Sequence, residues 1–393
     1  MSDPAQGAFS NHPPVPTYLQ PRLRLFLSID LIGSTAIKQR DLKGTGSDPA
    51  WTWRNPIQFF YQEVQQTIAK IWQRFEVKLK VNLPEYNRLF DPLHFWKALG
   101  DELIYCQTIT HSYQVYYAIK AWIQTAETFR EQLKQQYKDT KIQLDVKMYA
   151  WVAGFPVINC EVALQRNAHT QNMAQDESLP DPEASMLQRV KAYWDSENRD
   201  DVILDFIGPS MDIGFRLGSL ANRRQMPISL ELAYILASVM TYRQCSPEAP
   251  ALPDLSLHYM GRKELKGVME GNLYPVFWLD ATRTNLNPYP LEKCENTIIN
   301  SQQVQPQHGI ELITEFVKDV NNPFLLTLPY IVSDSSDPVL TTSKPPEHHE
   351  QIKRWLTVEP NKGPITKEAS LETDRSTITT GVELAEDSVK IPL

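Results

Sequence analysis

Asp30 closes the apolar run "RLRLFLSID", and Asp101 sits at the turn of "FWKALGDELIY". A carboxylate at the end of a buried strand is costly to ionise unless something cationic neutralises it. Two such groups brought together repel each other unless they share metal ions. The pair Asp30 and Asp101 therefore points to a divalent-metal site. Each residue also has a plainer reading: Asp30 suits a helix cap or turn, and Gly100 with Asp101 suits an ordinary hairpin turn.

The elements needed to bring these carboxylates together are legible in the hydrophobic pattern. "LRLFLSIDLI" is apolar at nearly every position, as expected of a central strand covered on both faces. "FFYQEVQQTIAKIWQRF" places Phe60, Val64, Ile68, Ile71, Trp72 and Phe75 at helical spacing. Lys97 to Thr108 then reads as two short strands folded about Gly100 and Asp101. A second long helix is expected in "SYQVYYAIKAWIQTAETFREQLKQQY", and a strand in "IQLDVKMYAWVAG". The order βαββαβ is the ferredoxin-like arrangement, an α+β fold with helices on one face of an antiparallel sheet.

Further along, Asn167 to Asp201 reads as a polar surface insertion that contains a helix at "EASMLQRVKAYWD". "DIGFRLGSLANRR" and "ISLELAYILASVM" are expected helices, and "LYPVFWLD" is a closing strand. Residues 1–21, rich in Pro and small polar residues, read as a flexible arm, and residues 22–283 as the folded domain. Residues 284–393 read as a low-complexity extension, largely irregular, with one helix at "IELITEFVKDV" and disorder from about Ser333.

Composition narrows the function. The formal net charge of -8 argues against a general nucleic-acid binder, although a small polyanion could bind through local cations and metal. Cys106, Cys160, Cys245 and Cys294 lie far apart with no CxxC pair, which fits a reducing cytoplasm and neither a zinc site nor a disulfide framework. The first residues lack the apolar core of a signal peptide, and no apolar run approaches the roughly 18 residues that span a bilayer. A soluble, cytoplasmic protein without membrane insertion is the expectation.

Three segments resemble the class III nucleotidyl cyclases. "SIDLIGST" is similar to the end of that family's first strand, "KALGD" to its hairpin motif Lys-x-x-Gly-Asp, and "DFIGPSMDIGFR" to its Asp-x-x-Gly-x-x-x-Asn-x-x-x-Arg segment. The resemblance implies two Mg2+ or Mn2+ ions held by Asp30, Asp101 and the Leu31 carbonyl, and hard oxygen donors suit both metals. It implies Lys97 and Asp205 at the base-reading positions, Asp212 where the family has the ribose-orienting Asn, and Arg216 at the transition-state arginine. Asp212 and Arg216 are four apart and share a face on one helix. Because a carboxylate only accepts hydrogen bonds, Asp212 departs from the pattern. Lys266 in "RKELKGV" resembles the lysine that contacts the triphosphate. Backbone N–H groups after Gly33, with Ser34 or Thr35 as candidate cap, would face phosphate.

Sites of this family need both halves of a dimer, and the chain carries one copy of each motif, so a two-fold homodimer with shared sites is implied. Lys97 and Asp205 suit adenine, cytosine or uracil alike. Over residues 22–282 the chain looks most like the pyrimidine cyclases of bacterial Pycsar antiphage defence, on "RLFLSIDLIGSTAIKQR", "FWKALGDELIY" and Asp212. That resemblance implies a uridylate cyclase making cyclic UMP for a separately encoded effector. The alternatives are cyclic CMP in the same role, an adenylate cyclase in ordinary signalling, and a catalytically silent nucleotide-binding dimer.

Overall fold

The structure, a computed structural model, describes residues 15–42, 52–82, 93–138, 143–166, 182–197, 199–200, 202–246, 254–282, 294, 303–319, 329, 337, 339, 351–352 and 354–355. Strand β1 (Arg22–Ile32) is buried almost throughout because it lies inside the sheet, antiparallel to β3 (Glu102–Ile109) on one side and β4 (Asp145–Phe155) on the other. Strand β2 (His94–Leu99) pairs with β3 at the edge. The chain reaches β2 through helices α1 (Ser34–Leu42) and α2 (Arg54–Asn82), and reaches β4 through α3 (Ser112–Gln136). The expected βαββαβ core is present, with its first crossover split into two helices.

Beyond β4 come a ribbon of β5 (Cys160–Gln165) and β6 (Val202–Ile207), with α4 (Pro182–Asp195) between them, and then α5 (Pro209–Leu217). Strands β7 (Gln225–Ile228), β8 (Leu257–Glu264) and β9 (Leu273–Asp280) extend the main sheet to seven strands in the order β2-β3-β1-β4-β7-β9-β8. Helix α6 (Leu230–Cys245) precedes β8, and α7 (Pro306–Lys318), the helix expected in the extension, packs on α6. Residues 1–14 of the expected arm and most of the region expected to be irregular lie outside the described residues. Thr17–Leu19 forms a short 3-10 turn that buries Leu19.

One expectation requires correction. The helix anticipated through "DIGFRLGSLANRR" ends at Leu217, continues as a 3-10 turn over Gly218–Leu220, and gives way to β7. Asn222 turns the chain by accepting hydrogen bonds on its side-chain oxygen from the N–H groups of Arg224 and Gln225, at 2.9 and 2.8 Å. The short strands β5 to β8 were not anticipated.

Strand alternation sorts the two faces of the sheet. Leu27 and Tyr105 are paired, and Tyr105 meets Trp122 of α3, so the Leu25, Leu27, Ile29 side faces that helix. Arg24, Phe26, Ser28 and Asp30 line the other face. There Phe26 stacks on Trp151 at 5.1 Å, and Trp151 lies against Gly214 of α5. The ribbon is fastened to β1 by Glu161, which accepts from Arg22 (2.9 Å), Arg24 (2.8 Å) and Trp194 Nε1 (2.9 Å). Burial pushes the Glu161 pKa up, but the two guanidiniums outweigh it and hold the carboxyl below its ordinary value.

A Cβ on Gly214 would lie 2.3 Å from the Trp151 ring. Gly214→Ala should therefore cost about 1–3 kcal/mol by overpacking, although alanine is the better helix former by about 1 kcal/mol. Thermal unfolding followed by circular dichroism checks this; a melting temperature equal to or above that of the wild type would contradict the tight contact.

Candidate active site

Asp30 pairs in register with Glu102 on β3 and with Lys147 on β4. Gly100 and Asp101 form the turn between β2 and β3, and the Leu31 N–H donates to the Asp101 carbonyl at 3.0 Å. This bond extends the ladder one step past Asp30 and sets the two aspartates at adjoining positions. In an extended strand a residue's N–H and C=O point to the same side, so the Leu31 carbonyl also faces the turn. Gly33, at φ +94° and pressed against the Gln143 carbonyl, swings the chain from β1 into α1. The first helical bond runs from Ile37 N–H to the Gly33 carbonyl. Ser34, expected as a cap, instead donates its hydroxyl to the Asp101 carboxylate.

Two lysines attend the pair: Lys147 lies 3.1 Å from Asp30 and Lys38 lies 3.9 Å from Asp101. Burial raises the Asp30 pKa above its ordinary value; Lys147 pulls it down and Asp101 pushes it up again. Burial likewise raises Glu102, whose carboxylate accepts from Ser28 and Tyr149, with the Asp30 charge adding to the rise. Neutralisation is therefore incomplete, and hard oxygens beside an excess of negative charge fit a divalent cation such as Mg2+ or Mn2+. Among the described residues no three His, Cys, Asp or Glu side chains cluster as metal ligands. Such ions are commonly completed by water and substrate phosphates, and two carboxylates with a carbonyl suit that mode.

A second group forms at the sheet edge. The pairing of β2 and β3 slips between Phe95 and Lys97, leaving Trp96 as the extra residue of a bulge. Consecutive side chains on β2 therefore both reach β6: Trp96 Nε1 donates to the Leu204 carbonyl at 3.2 Å, and Lys97 Nζ lies 2.7 Å from Asp205. The Lys97 ammonium stands 3.9 Å from the Trp96 ring and 5.9 Å from that of Phe215. The ion pair is partly open to solvent.

Asp212 and Arg216 are both exposed on α5, on the face opposite the buried Met211, Gly214, Leu217 and Gly218. Lys266 is exposed in the turn between β8 and β9, at the sheet edge opposite β2, so one chain does not bring it to the other candidates. Sequence reasoning missed Lys147 and Glu102. A lysine inside the otherwise apolar "VKMYAWV" was the available signal for the first.

No protein-family model matches the chain, and no curated protein matches it. Among solved structures it is similar to the adenylyl cyclase CyaB from P. aeruginosa, at 12% identity over 68% of this chain and 98% of that one, with a TM-score of 0.41. It is similar to the guanylate cyclase domain of RhGC from Catenaria anguillulae in complex with GTP, at 10% identity over 67% and 100%, TM-score 0.30. It is also similar to the guanylyl cyclase Cya2, at 14% identity over 69% and 96%, TM-score 0.31. None of the helices among the described residues is long and apolar enough to cross a membrane.

A carboxyl with a raised folded-state pKa contributes stability that is fully present below its ordinary pKa and lost as pH rises through the raised one. In chelator the wild type should lose thermal stability as pH climbs from the ordinary carboxylate range through the raised Asp30 and Glu102 values. Asp30→Asn should lose less over that window and melt higher at pH 7, and Mn2+ should stabilise only the wild type. Parallel melting profiles for the two proteins would count against an electrostatically frustrated pair.

Proposed function

We propose that the protein is a nucleotidyl cyclase, acting as a two-fold homodimer, that converts UTP to 3′,5′-cyclic UMP and diphosphate. The observation that carries this reading is the meeting of Asp30 and Asp101 at one end of a half-covered sheet face. In the reaction the ribose 3′-oxygen attacks the α-phosphorus, the bond to the bridging oxygen of the β-phosphate breaks, and diphosphate leaves with that electron pair while the hydroxyl proton passes to solvent. Bound divalent ions would supply Lewis acidity to the attacking oxygen and charge neutralisation to the phosphates. Asp30, Asp101 and the Leu31 carbonyl would hold those ions, with Mn2+ or Mg2+ both suited to the oxygen donors.

The other half of the site comes from the second protomer in this reading. Arg216 stabilises charge that builds on the phosphoryl group, Asp212 accepts from a ribose hydroxyl, and Lys266 meets the triphosphate. The exposed placement of Asp212 and Arg216 supports a role facing a partner. So do apolar side chains left open on the edge strand and ribbon: Phe95, 47% exposed, and Leu99, 45%, on β2, with Ile207, 50%, on β6. Each chain carries one copy of both halves, so a closed dimer has two sites.

Lys97 donates to the uracil O4 and Asp205 accepts from N3–H. The Trp96 and Phe215 rings beside Lys97 supply bulk that favours a single-ring base. The product would serve as a second messenger in antiphage defence, read by a separately encoded effector. The same donor and acceptor suit CTP, or the N1 and amino group of ATP, which keeps an adenylate cyclase as the second reading.

A nucleotide panel with purified protein and Mn2+ tests the substrate: cyclic UMP is expected as the main product, and cyclic AMP in its place would overturn the pyrimidine assignment. Arg216→Ala should lower kcat about 10²- to 10³-fold, the usual loss of a charge-stabilising donor. Mixing Asp101→Ala with Arg216→Ala protein should restore about one quarter of wild-type activity, the share given by random pairing into shared sites. No recovery on mixing would contradict a site built from two protomers.

A further inference from the structure

The turn that carries Asp101 has little packing to hold it. Gly100 adopts φ +69°, and a Cβ built there would meet nothing within 4 Å. Three hydrogen bonds reach this turn from three elements instead. The Leu31 N–H on β1 donates to the Asp101 carbonyl, the Ser34 hydroxyl on α1 donates to the Asp101 carboxylate, and the Tyr61 hydroxyl on α2 donates to the Gly100 carbonyl. The first is an ordinary ladder bond; the other two are made by side chains from the stretch that separates the two aspartates in sequence.

Neither hydroxyl is committed to the core. Helix α2 buries Phe60, Val64, Ile68 and Ile71, while Tyr61 flanks that stripe and remains partly exposed. Its ring packs beside Phe60 at 5.9 Å, which leaves the hydroxyl as the group that reaches the turn. Ser34 is buried, and its hydroxyl fixes one oxygen of Asp101 while leaving the other for a cation.

We infer that Tyr61 and Ser34 are positioning residues, which hold the Gly100–Asp101 turn against β1 so that Asp101 reaches the same cation as Asp30. This rests on the cation-site reading of the two aspartates. Without the Tyr61 bond the turn is tied to the helical layer through α1, by the Ser34 hydroxyl and the longer Lys38 contact at 3.9 Å, and Asp101 samples positions from which a shared ion is lost. The cost falls on cation affinity, because the Tyr61 hydroxyl is engaged by the Gly100 carbonyl and is not one of the groups proposed to hold metal or nucleotide.

The test uses the full chain and Mn2+ alone as probe, with free Mn2+ counted by electron paramagnetic resonance. Wild type, Tyr61→Phe, Ser34→Ala and Asp101→Ala are compared, each with its melting temperature. Tyr61→Phe and Ser34→Ala should each bind Mn2+ about five- to tenfold more weakly, the size of one net hydrogen bond, and Tyr61→Phe should melt within about 2 °C of the wild type. Its half-saturating Mn2+ for turnover should rise by the same factor, while its kcat at saturating Mn2+ returns to near wild type. Equal Mn2+ affinity in Tyr61→Phe and wild type, with Asp101→Ala defective, overturns the positioning role and leaves the cation site standing. A loss in Tyr61→Phe that tracks a lowered melting temperature and persists in kcat at saturating Mn2+ also overturns it. Indistinguishable binding by wild type and Asp101→Ala removes the cation site itself.

Discussion

Like charges in a half-buried setting are the constraint around which this molecule is built. Asp30 and Asp101 adjoin, Glu102 lies beside Asp30, and burial makes ionisation costly for Asp30 and Glu102. Lys147 and Lys38 compensate in part, from a neighbouring strand and a neighbouring helix. A fold that retains such a cluster sacrifices stability at neutral pH, and a bound cation would offset the sacrifice.

The rest of the sheet face grades away from that cluster. From Asp30 back along β1, the same face carries Ser28 in its network with Glu102 and Tyr149, then Phe26 in an aromatic stack, then Arg24 in the buried ion cluster with Glu161. The aromatic middle is where α5 docks, with Gly214 and, just past the helix end, Gly218 lying on Trp151 and Tyr149. The ionic far end fixes the ribbon that carries Asp205. One strand thus sets the height of the acidic pair, the helix bearing Asp212 and Arg216, and the strand facing Lys97.

Much of this was legible in the sequence where burial imposes a strong period. The unbroken apolar run of β1 and the helical stripes of α2 and α3 announce themselves, and they bracket Asp30 and Asp101. What escaped depends on partners. The bulge at Trp96 exists only in the pairing of β2 with β3, and nothing local in "HFWKAL" marks it. Strand β7 is four residues long and follows a helix-like stretch, so Asn222 was its one local signal. Ser34 looked like a cap because serine at a helix start commonly is one; its true partner lies 67 residues away.

The most direct measurement is anomalous diffraction at the manganese edge from crystals grown with Mn2+ and a non-reactive UTP analogue. Two manganese peaks about 3.5–4 Å apart, ligated by Asp30 and Asp101 of one protomer with Arg216 of the other beside the phosphates, are expected. Manganese bound elsewhere, or a nucleotide seated away from both aspartates, would contradict the paired-cation centre.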